Sequence, residues 1–142
     1  MASNLGYAGD VDPSEAWDAL SADPRAALVD VRTLAEWQFV GVPDLSGLGR
    51  EVALVCWQIY PDMGFNPDFV DQVKAAGVQE EQTVYLICRS GQRSRDAAIA
   101  LTAAGFARCH NVAEGFEGPL DEKRHRGTLS GWKRRGLPWG QR

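Results

Sequence analysis

The sequence predicts one α/β domain in which a central parallel sheet is covered by helices on both faces. Short apolar runs that do not alternate with polar residues are typical of strands buried on both faces. Segments with helix caps separate these runs, which favours parallel strand order. The length of 142 residues fits one domain with its own core. We place this domain at residues 10–138, with residues 1–9 and 139–142 as short terminal extensions.

Helices and strands alternate in the first half of the chain. Asp12 is the expected N-cap of a helix in DVDPSEAWDALSADP, where Pro13 takes the first helical position and Glu15 is the reciprocal capping partner. The run RAALVDVR is the first buried strand. Thr33 and Glu36 form a second capping box in TLAEWQFV, and EVALVCW is the second strand.

The same alternation continues in the second half. Asn66 is the expected N-cap of a helix in NPDFVDQVKAAGV, and Gly77 ends that helix. The run TVYLIC is the third strand, QRSRDAAIALTAAGF is a helix that ends at Gly105, and RCHNVAEGF supplies a fourth strand. Trp132 and Trp139 in the C-terminal segment GTLSGWKRRGLPWGQR, residues 127–142, indicate that this segment packs on the domain.

Composition and charge exclude several classes of protein. The apolar runs are far too short to span a bilayer, and the N-terminus lacks a basic start followed by an apolar block. We therefore expect a cytoplasmic protein without a secretory signal or a membrane partner. From Glu117 onward there are seven Lys or Arg against three Asp or Glu, in a chain of net charge −4. This basic segment is short and interrupted, so we interpret it as solvated surface and expect no nucleic-acid partner.

Three cysteines occur, and none belongs to a C-x-x-C motif. Neither a zinc site nor a thioredoxin-like motif is supported, and we expect free thiols and no metal. Cys56 and Cys109 are interpreted as structural core residues. His110 and His125 are interpreted as surface or structural residues.

Cys88 stands where a strand is expected to become a helix, in the stretch YLICRSGQRSRDAAIALTAAGF. Ligands of open α/β sheets bind outside the carboxyl ends of the strands. The N-terminus of the helix and the arginines Arg89, Arg93 and Arg95 place positive charge around the thiol. Gly91 fits a turn that needs a positive φ. These features favour the thiolate, which is the reactive form of cysteine.

The chain resembles the single-domain rhodaneses, a family of sulfurtransferases. The resemblance rests on LVDVRTLAEW, on CRSGQRS followed by an alanine-rich helix and AAGF, on NVAEGFEG and on GWKRRGLPW. It implies a rhodanese-like fold in which Cys88 is the catalytic nucleophile. The thiol would take a sulfane sulfur from a small anionic donor such as thiosulfate. The resulting persulfide would pass the sulfur to a thiol, cyanide or protein acceptor, without a metal or organic cofactor.

The same resemblance assigns supporting residues. The active-site loop that would cradle the persulfide comprises Arg89, Ser90, Gly91, Gln92, Arg93 and Ser94. Asp30 and Arg32, in the D-V-R signature, are interpreted as a buried ion pair that supports the active-site loops. Glu36 either pairs with Arg93 or completes the cap of its own helix. The long connection CWQIYPDMGFNPDF, residues 56–69, either rims the active site or forms a satellite core.

Other functions compete with this interpretation. Many relatives have G-H-I-P-G-A where this chain has GVPDLSG, so we expect no histidine general base. A cysteine phosphatase or arsenate reductase needs an arginine six positions after the cysteine, and Ser94 stands there instead. A persulfide carrier without turnover would use the same thiol. A rhodanese-fold module that only binds proteins would not need the intact cysteine loop.

Overall fold

A five-stranded parallel sheet forms the centre of the computed structural model, which describes residues 6–59, 62 and 64–141. The strands are β1 (Gly9–Val11), β2 (Ala27–Asp30), β3 (Val42–Pro43), β4 (Ala53–Leu54), β5 (Gln58–Ile59), β6 (Gly64–Phe65), β7 (Thr83–Ile87), β8 (Arg108–Val112) and β9 (Trp139–Gly140). The helices are α1 (Pro13–Ala22), α2 (Leu34–Phe39), α3 (Phe69–Ala75) and α4 (Gln92–Ala103), with a 3₁₀ turn at Ser46–Leu48. The sheet order is β1-β8-β7-β2-β4, and every pair is parallel.

Each face of the sheet has its own hydrophobic core, which confirms the predicted α/β class. Because side chains alternate along a strand, Val84 and Leu86 of β7 enter one core while Tyr85 and Ile87 enter the other. Helices α3 and α4 cover the first core, with Phe69, Val73, Ala97, Ala98 and Leu101 fully or almost fully buried. Helix α1 and the C-terminal segment cover the second core, with Ala16, Leu20 and Trp132 at 0% exposure. The C-terminal segment thus packs on the domain, as expected from its tryptophans.

Helices α1 and α2 begin at the expected capping boxes. The Asp12 carboxylate accepts from the Glu15 amide at 2.8 Å, and the Glu15 carboxylate accepts from the Asp12 amide at 3.0 Å. Thr33 and Glu36 make the same reciprocal bonds at the start of α2. Each box satisfies two backbone N–H groups that the helix itself leaves without an acceptor.

The expected start of α3 was wrong by two residues. The helix begins at Phe69 with Asp68 as N-cap, whereas the sequence suggested Asn66. The Asn66 side-chain oxygen accepts from the Asp68 amide at 3.0 Å, and its amide group donates to the Cys56 carbonyl at 3.0 Å. Asn66 therefore holds a turn before the helix and ties it to the preceding loop. At the other end, Gly77 follows the helix with φ +95°, as expected for a C-terminal stop.

Five short strands were not expected from the sequence. Strand β1 pairs with β8 at the sheet edge, and its sequence of Gly9, Asp10 and Val11 has no apolar run to mark it. Strands β3 and β9 form an antiparallel pair, as do β5 and β6. Strand β1 begins at Gly9, and β9 lies at Trp139–Gly140. Gly9, Trp139 and Gly140 belong to the segments that we assigned to terminal extensions. The domain limits 10–138 stay a prediction. Among the described residues, no helix is long and apolar enough to cross a membrane.

Candidate active site

Cys88 directly follows β7, the central strand of the sheet, at its carboxyl end. Cys88 is 1% exposed, and its side chain lies on the face of the sheet that α4 covers. The Gly91 amide donates to Cys88 Sγ at an N···S distance of 3.1 Å, and Ser94 Oγ lies 3.2 Å from the same sulfur. A backbone N–H and a hydroxyl thus approach the sulfur from the loop and from the first turn of α4.

The loop ends at the N-terminus of α4, where Gln92 is the first helical residue. Helix geometry leaves the first amides of α4 without an acceptor inside the helix, so partial positive charge collects at this end. Gly91 has φ +111°, and a Cβ there would overlap the carbonyl of Ala113. The expected positive φ at Gly91 is therefore confirmed, and the contact with Ala113 adds a second reason for glycine.

The segment EGFEG, residues 114–118, fixes the loop from the other side. The Phe116 amide donates to the Cys88 carbonyl at 2.8 Å, and the Glu117 amide donates to the Arg89 carbonyl at 3.0 Å. Gly115 has φ +69°, and a Cβ there would lie 2.5 Å from the carbonyl group of Arg89. The backbone on either side of Cys88 is thus held by main-chain contacts that only a glycine at 115 permits.

Glu36 makes both of the contacts that the sequence left as alternatives. Arg93 donates to the two carboxylate oxygens of Glu36 at 2.7 and 2.9 Å, and the Thr33 amide donates to the same carboxylate at 3.2 Å. Burial alone would raise the pKa of Glu36, but the hydrogen bonds and charge of Arg93 hold it below its ordinary value. Burial by itself would lower the pKa of Arg93, but the hydrogen bonds and charge of Glu36 outweigh burial and raise that pKa. The pair connects α2 to α4.

Asp30 and Arg32 form a buried ion pair, with both side chains at 0% exposure. Arg32 donates to Asp30 through Nε at 2.9 Å and through Nη2 at 2.6 Å, and Nη2 also donates to the Gly41 carbonyl at 2.6 Å. The guanidinium carbon lies 4.3 Å from the centre of the Phe116 ring. The pair therefore joins β2 to the connection after α2 and to the segment that holds the Cys88 loop.

A pocket of about 320 Å³ opens over the cysteine loop. The residues that line it are Glu36, Gln58, Cys88, Arg89, Ser90, Gln92 and Arg93. Arg89 is exposed and Arg93 is half-buried, so two arginines from the predicted loop face this pocket. Within the part of the chain that the structure describes, no three His, Cys, Asp or Glu side chains cluster in a way that could hold a metal ion.

The connection between β4 and α3 packs Trp57 on the core, and it reaches the pocket through Gln58 and not through Trp57 or Phe65. Gln58 of β5 lines the pocket, and the sequence did not single it out. Trp57 packs edge-on against Phe65 and Phe69, at ring-centre distances of 5.5 and 5.2 Å, and contacts the core beneath α3. Phe65 is 68% exposed. Tyr60 and Met63, which the sequence analysis included in this connection, lie outside the described residues.

Asn111 and Asp10 are further polar residues near the thiol that the sequence analysis missed. Ser94 Oγ donates to Asn111 Oδ1 at 2.6 Å, and Asn111 Nδ2 donates to Asp10 Oδ1 at 3.0 Å. Asn111 is 3% exposed on β8, beside Asp10 on β1. An amide side chain between His110 and Val112 of the expected strand RCHNV was a weak signal for Asn111, because two of its strand neighbours are polar as well.

Burial is the largest influence on the pKa values of the other two thiols and of His110. Burial raises the pKa of Cys109 to about 11, and burial also raises the pKa of Cys56. The His110 ring stacks on Tyr85 at 5.1 Å, on the face of the sheet opposite Cys88. Burial, with a smaller effect of Arg108, lowers the pKa of His110.

Comparison with known proteins identifies the family of this site. A family model described as the STR4 middle domain matches residues 9–142. Rhodanese-like domain-containing protein 4, chloroplastic, of Arabidopsis thaliana is 27% identical over 124 residues, which cover 87% of this chain and 24% of that protein.

Two solved structures share the fold. The crystal structure of Rv0390 from M. tuberculosis has a TM-score of 0.88 at 50% identity, covering 96% of this chain and 99% of that one. The solution structure of a polysulfide-sulfur transferase homodimer from Wolinella succinogenes has a TM-score of 0.64 at 20% identity, covering 96% and 80%. The chain therefore belongs to the STR4 middle domain family and has a single-domain rhodanese-like fold.

Proposed function

We propose that this protein is a sulfurtransferase that carries a sulfane sulfur as a persulfide on Cys88. The observation behind the proposal is the position of the Cys88 thiol, beneath an arginine-lined pocket and 3.1 Å from the Gly91 amide. The names of two similar proteins, a rhodanese-like domain protein and a polysulfide-sulfur transferase, support the same class of chemistry.

The proposed reaction has two steps in which the sulfur atom is conserved. The Cys88 thiolate attacks the outer sulfur of a donor such as thiosulfate, the S–S bond of the donor breaks, and sulfite leaves with the bonding electrons. A thiophilic acceptor, either cyanide or a thiolate, then attacks the outer sulfur of the persulfide. The new S–S bond breaks and Cys88 returns as the thiolate. No oxidant or reductant is consumed in the cycle.

The residues of the loop have separate roles in this proposal. The backbone amides of residues 89–94 and the N-terminus of α4 stabilise the negative charge of the outer persulfide sulfur. Arg89 is exposed at the pocket and attracts the anionic donor. Glu36 holds Arg93 at the pocket, and the Asp30–Arg32 pair supports the surrounding backbone. We further propose a cytoplasmic location, a domain at residues 10–138, and no nucleic-acid or membrane partner.

Cysteine phosphatase chemistry fits this geometry poorly. Such enzymes surround a tetrahedral oxyanion and use an arginine at the sixth position after the cysteine. Ser94 occupies that position, and its side chain is fully buried and bonded to Asn111. The fit to the transition state decides between the two reactions, and here it favours sulfur transfer.

A Cys88→Ser variant is expected to lose thiosulfate:cyanide sulfur transfer and to keep its fold, because a hydroxyl of similar size cannot form a persulfide. The measurement is steady-state turnover together with the intact mass after thiosulfate treatment. Wild type should gain one sulfur atom, located to Cys88 by peptide mapping. Cys56→Ser is the matched control and should retain turnover. Turnover by purified Cys88→Ser would refute the proposal, and a persulfide that forms but is discharged by neither cyanide nor a small thiol would indicate a carrier without turnover.

A further inference from the structure

A chain of hydrogen bonds leads from Cys88 away from the pocket to the edge of the sheet. Ser94 Oγ lies 3.2 Å from Cys88 Sγ and 2.6 Å from Asn111 Oδ1, and Asn111 Nδ2 lies 3.0 Å from Asp10 Oδ1. We propose that Asn111, acting through Ser94, is a positioning residue that opposes ionisation of Cys88 and sets the pH at which the thiolate forms. The functional meaning of this inference rests on the proposed role of Cys88 as nucleophile.

The orientation of the Asn111 amide follows from its partners. A carboxylate oxygen only accepts hydrogen bonds, so the amide nitrogen of Asn111 must face Asp10. The amide oxygen therefore faces Ser94. An amide oxygen also only accepts, so Ser94 must donate its hydroxyl hydrogen to Asn111. Tyr7 donates to the same oxygen of Asp10 at 2.7 Å and holds the carboxylate in place.

Ser94 has one hydroxyl hydrogen, and Cys88 competes with Asn111 for it. While Ser94 donates that hydrogen to Asn111 Oδ1, the hydroxyl presents only an oxygen lone pair to Cys88. The lone pair accepts from a neutral S–H group but repels a thiolate. To stabilise the thiolate, Ser94 must turn its hydrogen toward Sγ and give up the bond to Asn111. Ser94 and Asn111 are 0% and 3% exposed, so bulk water does not replace the lost bond.

Other groups around the thiol act in the opposite direction. The Gly91 amide and the N-terminus of α4 favour the thiolate. The charged or titratable side chains around the thiol and its hydrogen-bond chain are Arg89, Arg93, Glu36, Tyr7, Asp10 and Arg95. Asp30 and Arg32 of β2 bond to each other at the second core, on the opposite face of the sheet.

The balance between these groups has a chemical use. A thiolate that is stabilised too strongly is a weaker nucleophile, and the best attacking thiol ionises near the ambient pH. Asn111 offsets part of the stabilisation that the loop and the arginines provide. In the persulfide, the negative charge resides on the outer sulfur, so Ser94 keeps its bond to Asn111. The hydrogen-bond chain therefore suits the thiol and the persulfide and disfavours the free thiolate.

The test is the pH dependence of Cys88 alkylation by neutral iodoacetamide, followed by peptide mapping. In Asn111→Leu, Ser94 is free to donate to Sγ, and the midpoint pH of alkylation should fall by about one unit. When Ser94 is already replaced by alanine, adding Asn111→Leu should not change the alkylation midpoint relative to that of the Ser94→Ala single variant. An Asn111→Leu midpoint that is unchanged or higher, or a shift of equal size with and without Ser94, would overturn the proposal.

Asp10→Asn provides a second variant at an exposed position, in case the buried Asn111→Leu variant does not fold. A carboxamide at position 10 no longer dictates which way the Asn111 amide points, so an acid shift is again expected. Removal of one negative charge would also produce an acid shift, but that shift would persist in the Ser94→Ala background. Persistence at full size overturns the proposal. Asp18→Asn removes the same charge at an exposed position of α1, on the face of the sheet opposite Cys88, and should leave the midpoint unchanged.

These measurements need neither donor nor acceptor. Failure of the hydrogen-bond proposal would therefore appear in the alkylation midpoints of the variants, whatever the turnover assay shows. Failure of the proposed sulfur transfer would appear as turnover in Cys88→Ser or as a wild-type protein that gains no sulfur. The two outcomes are independent.

Discussion

The three cysteines differ in what surrounds each sulfur atom. Cys88 has an amide N–H at 3.1 Å and the first turn of α4 beside it. Cys109 is 1% exposed inside β8, and burial raises its pKa to about 11. Cys56 is half-buried, and its pKa is raised mainly by burial. Only the first of these environments favours an anion, which is the form that reacts with electrophiles.

Alkylation should therefore select Cys88 first, Cys56 second and Cys109 last. At mildly acidic pH, brief substoichiometric labelling and peptide mapping should find the label on Cys88. Anionic iodoacetate should be relatively more effective at Cys88 than at a free thiol, compared with iodoacetamide, because Arg89 and Arg93 face the pocket. Faster labelling of Cys56 or Cys109 would contradict this order. Thiosulfate pretreatment should move the label from the Cys88 sulfur to the outer persulfide sulfur.

At the scale of the secondary-structure elements, the ion pair between Glu36 and Arg93 connects helices α2 and α4 beside the pocket. Glu36 lies in the first turn of α2 and Arg93 in the first turn of α4, with side chains 19% and 16% exposed. The Glu36 carboxylate also caps α2 through Thr33. One side chain thus begins one helix and positions an arginine of another.

A Glu36→Gln variant should be less stable than wild type at neutral pH, by about 1 kcal/mol, because a partly buried, charged hydrogen bond to Arg93 is lost. The folded-state pKa of Glu36 is lowered, so its ionised form stabilises the fold at pH values above about 4.3, the unfolded value. That contribution disappears as the pH falls through the folded value.

Urea unfolding at a series of pH values measures this effect. The difference in the free energy of unfolding between wild type and Glu36→Gln should shrink as the pH is lowered below about 4.3. Glu51→Gln, at an exposed position, is the control and should show little difference at any pH. A difference that stays constant with pH would show that the charge of Glu36 does not contribute.

The Asp30–Arg32 pair links distant parts of the whole molecule. Strand β2 lies between β7 and β4, and Arg32 extends from its end to the Gly41 carbonyl and the Phe116 ring. The pair therefore contacts the sheet, the connection to β3 and the segment that holds the Cys88 loop. A buried pair of this kind contributes to the arrangement of these parts, because each charge requires the other.

Asp30→Ala should lower the free energy of unfolding by about 3–5 kcal/mol, because Arg32 would remain buried without its counter-charge. Chemical denaturation measures the loss. Asp18→Ala, at an exposed position on α1, is the matched control and should change stability by no more than about 0.5 kcal/mol. An unchanged denaturation midpoint in Asp30→Ala would show that the pair does not support the fold.

The features that the sequence determined by itself are those that depend on interactions between residues close together in the chain. The capping boxes at Asp12 and Thr33, the αL glycine at 77 and the cysteine turn with Gly91 each depend on residues a few positions apart. The apolar runs likewise identified the buried strands, since a strand covered on both faces needs them. These features suffice to predict the α/β class and the position of the thiol.

Tertiary structure alone decided the contacts between distant residues. Asn111 and Asp10 are 101 positions apart, and they meet only because β8 and β1 pair at the sheet edge. Glu36 caps its helix and also binds Arg93, 57 positions away. The start of α3 moved to Phe69 because Asn66 bonds across to the Cys56 carbonyl. No local pattern encodes such partners, since they depend on strand order and on how the two cores pack the elements together.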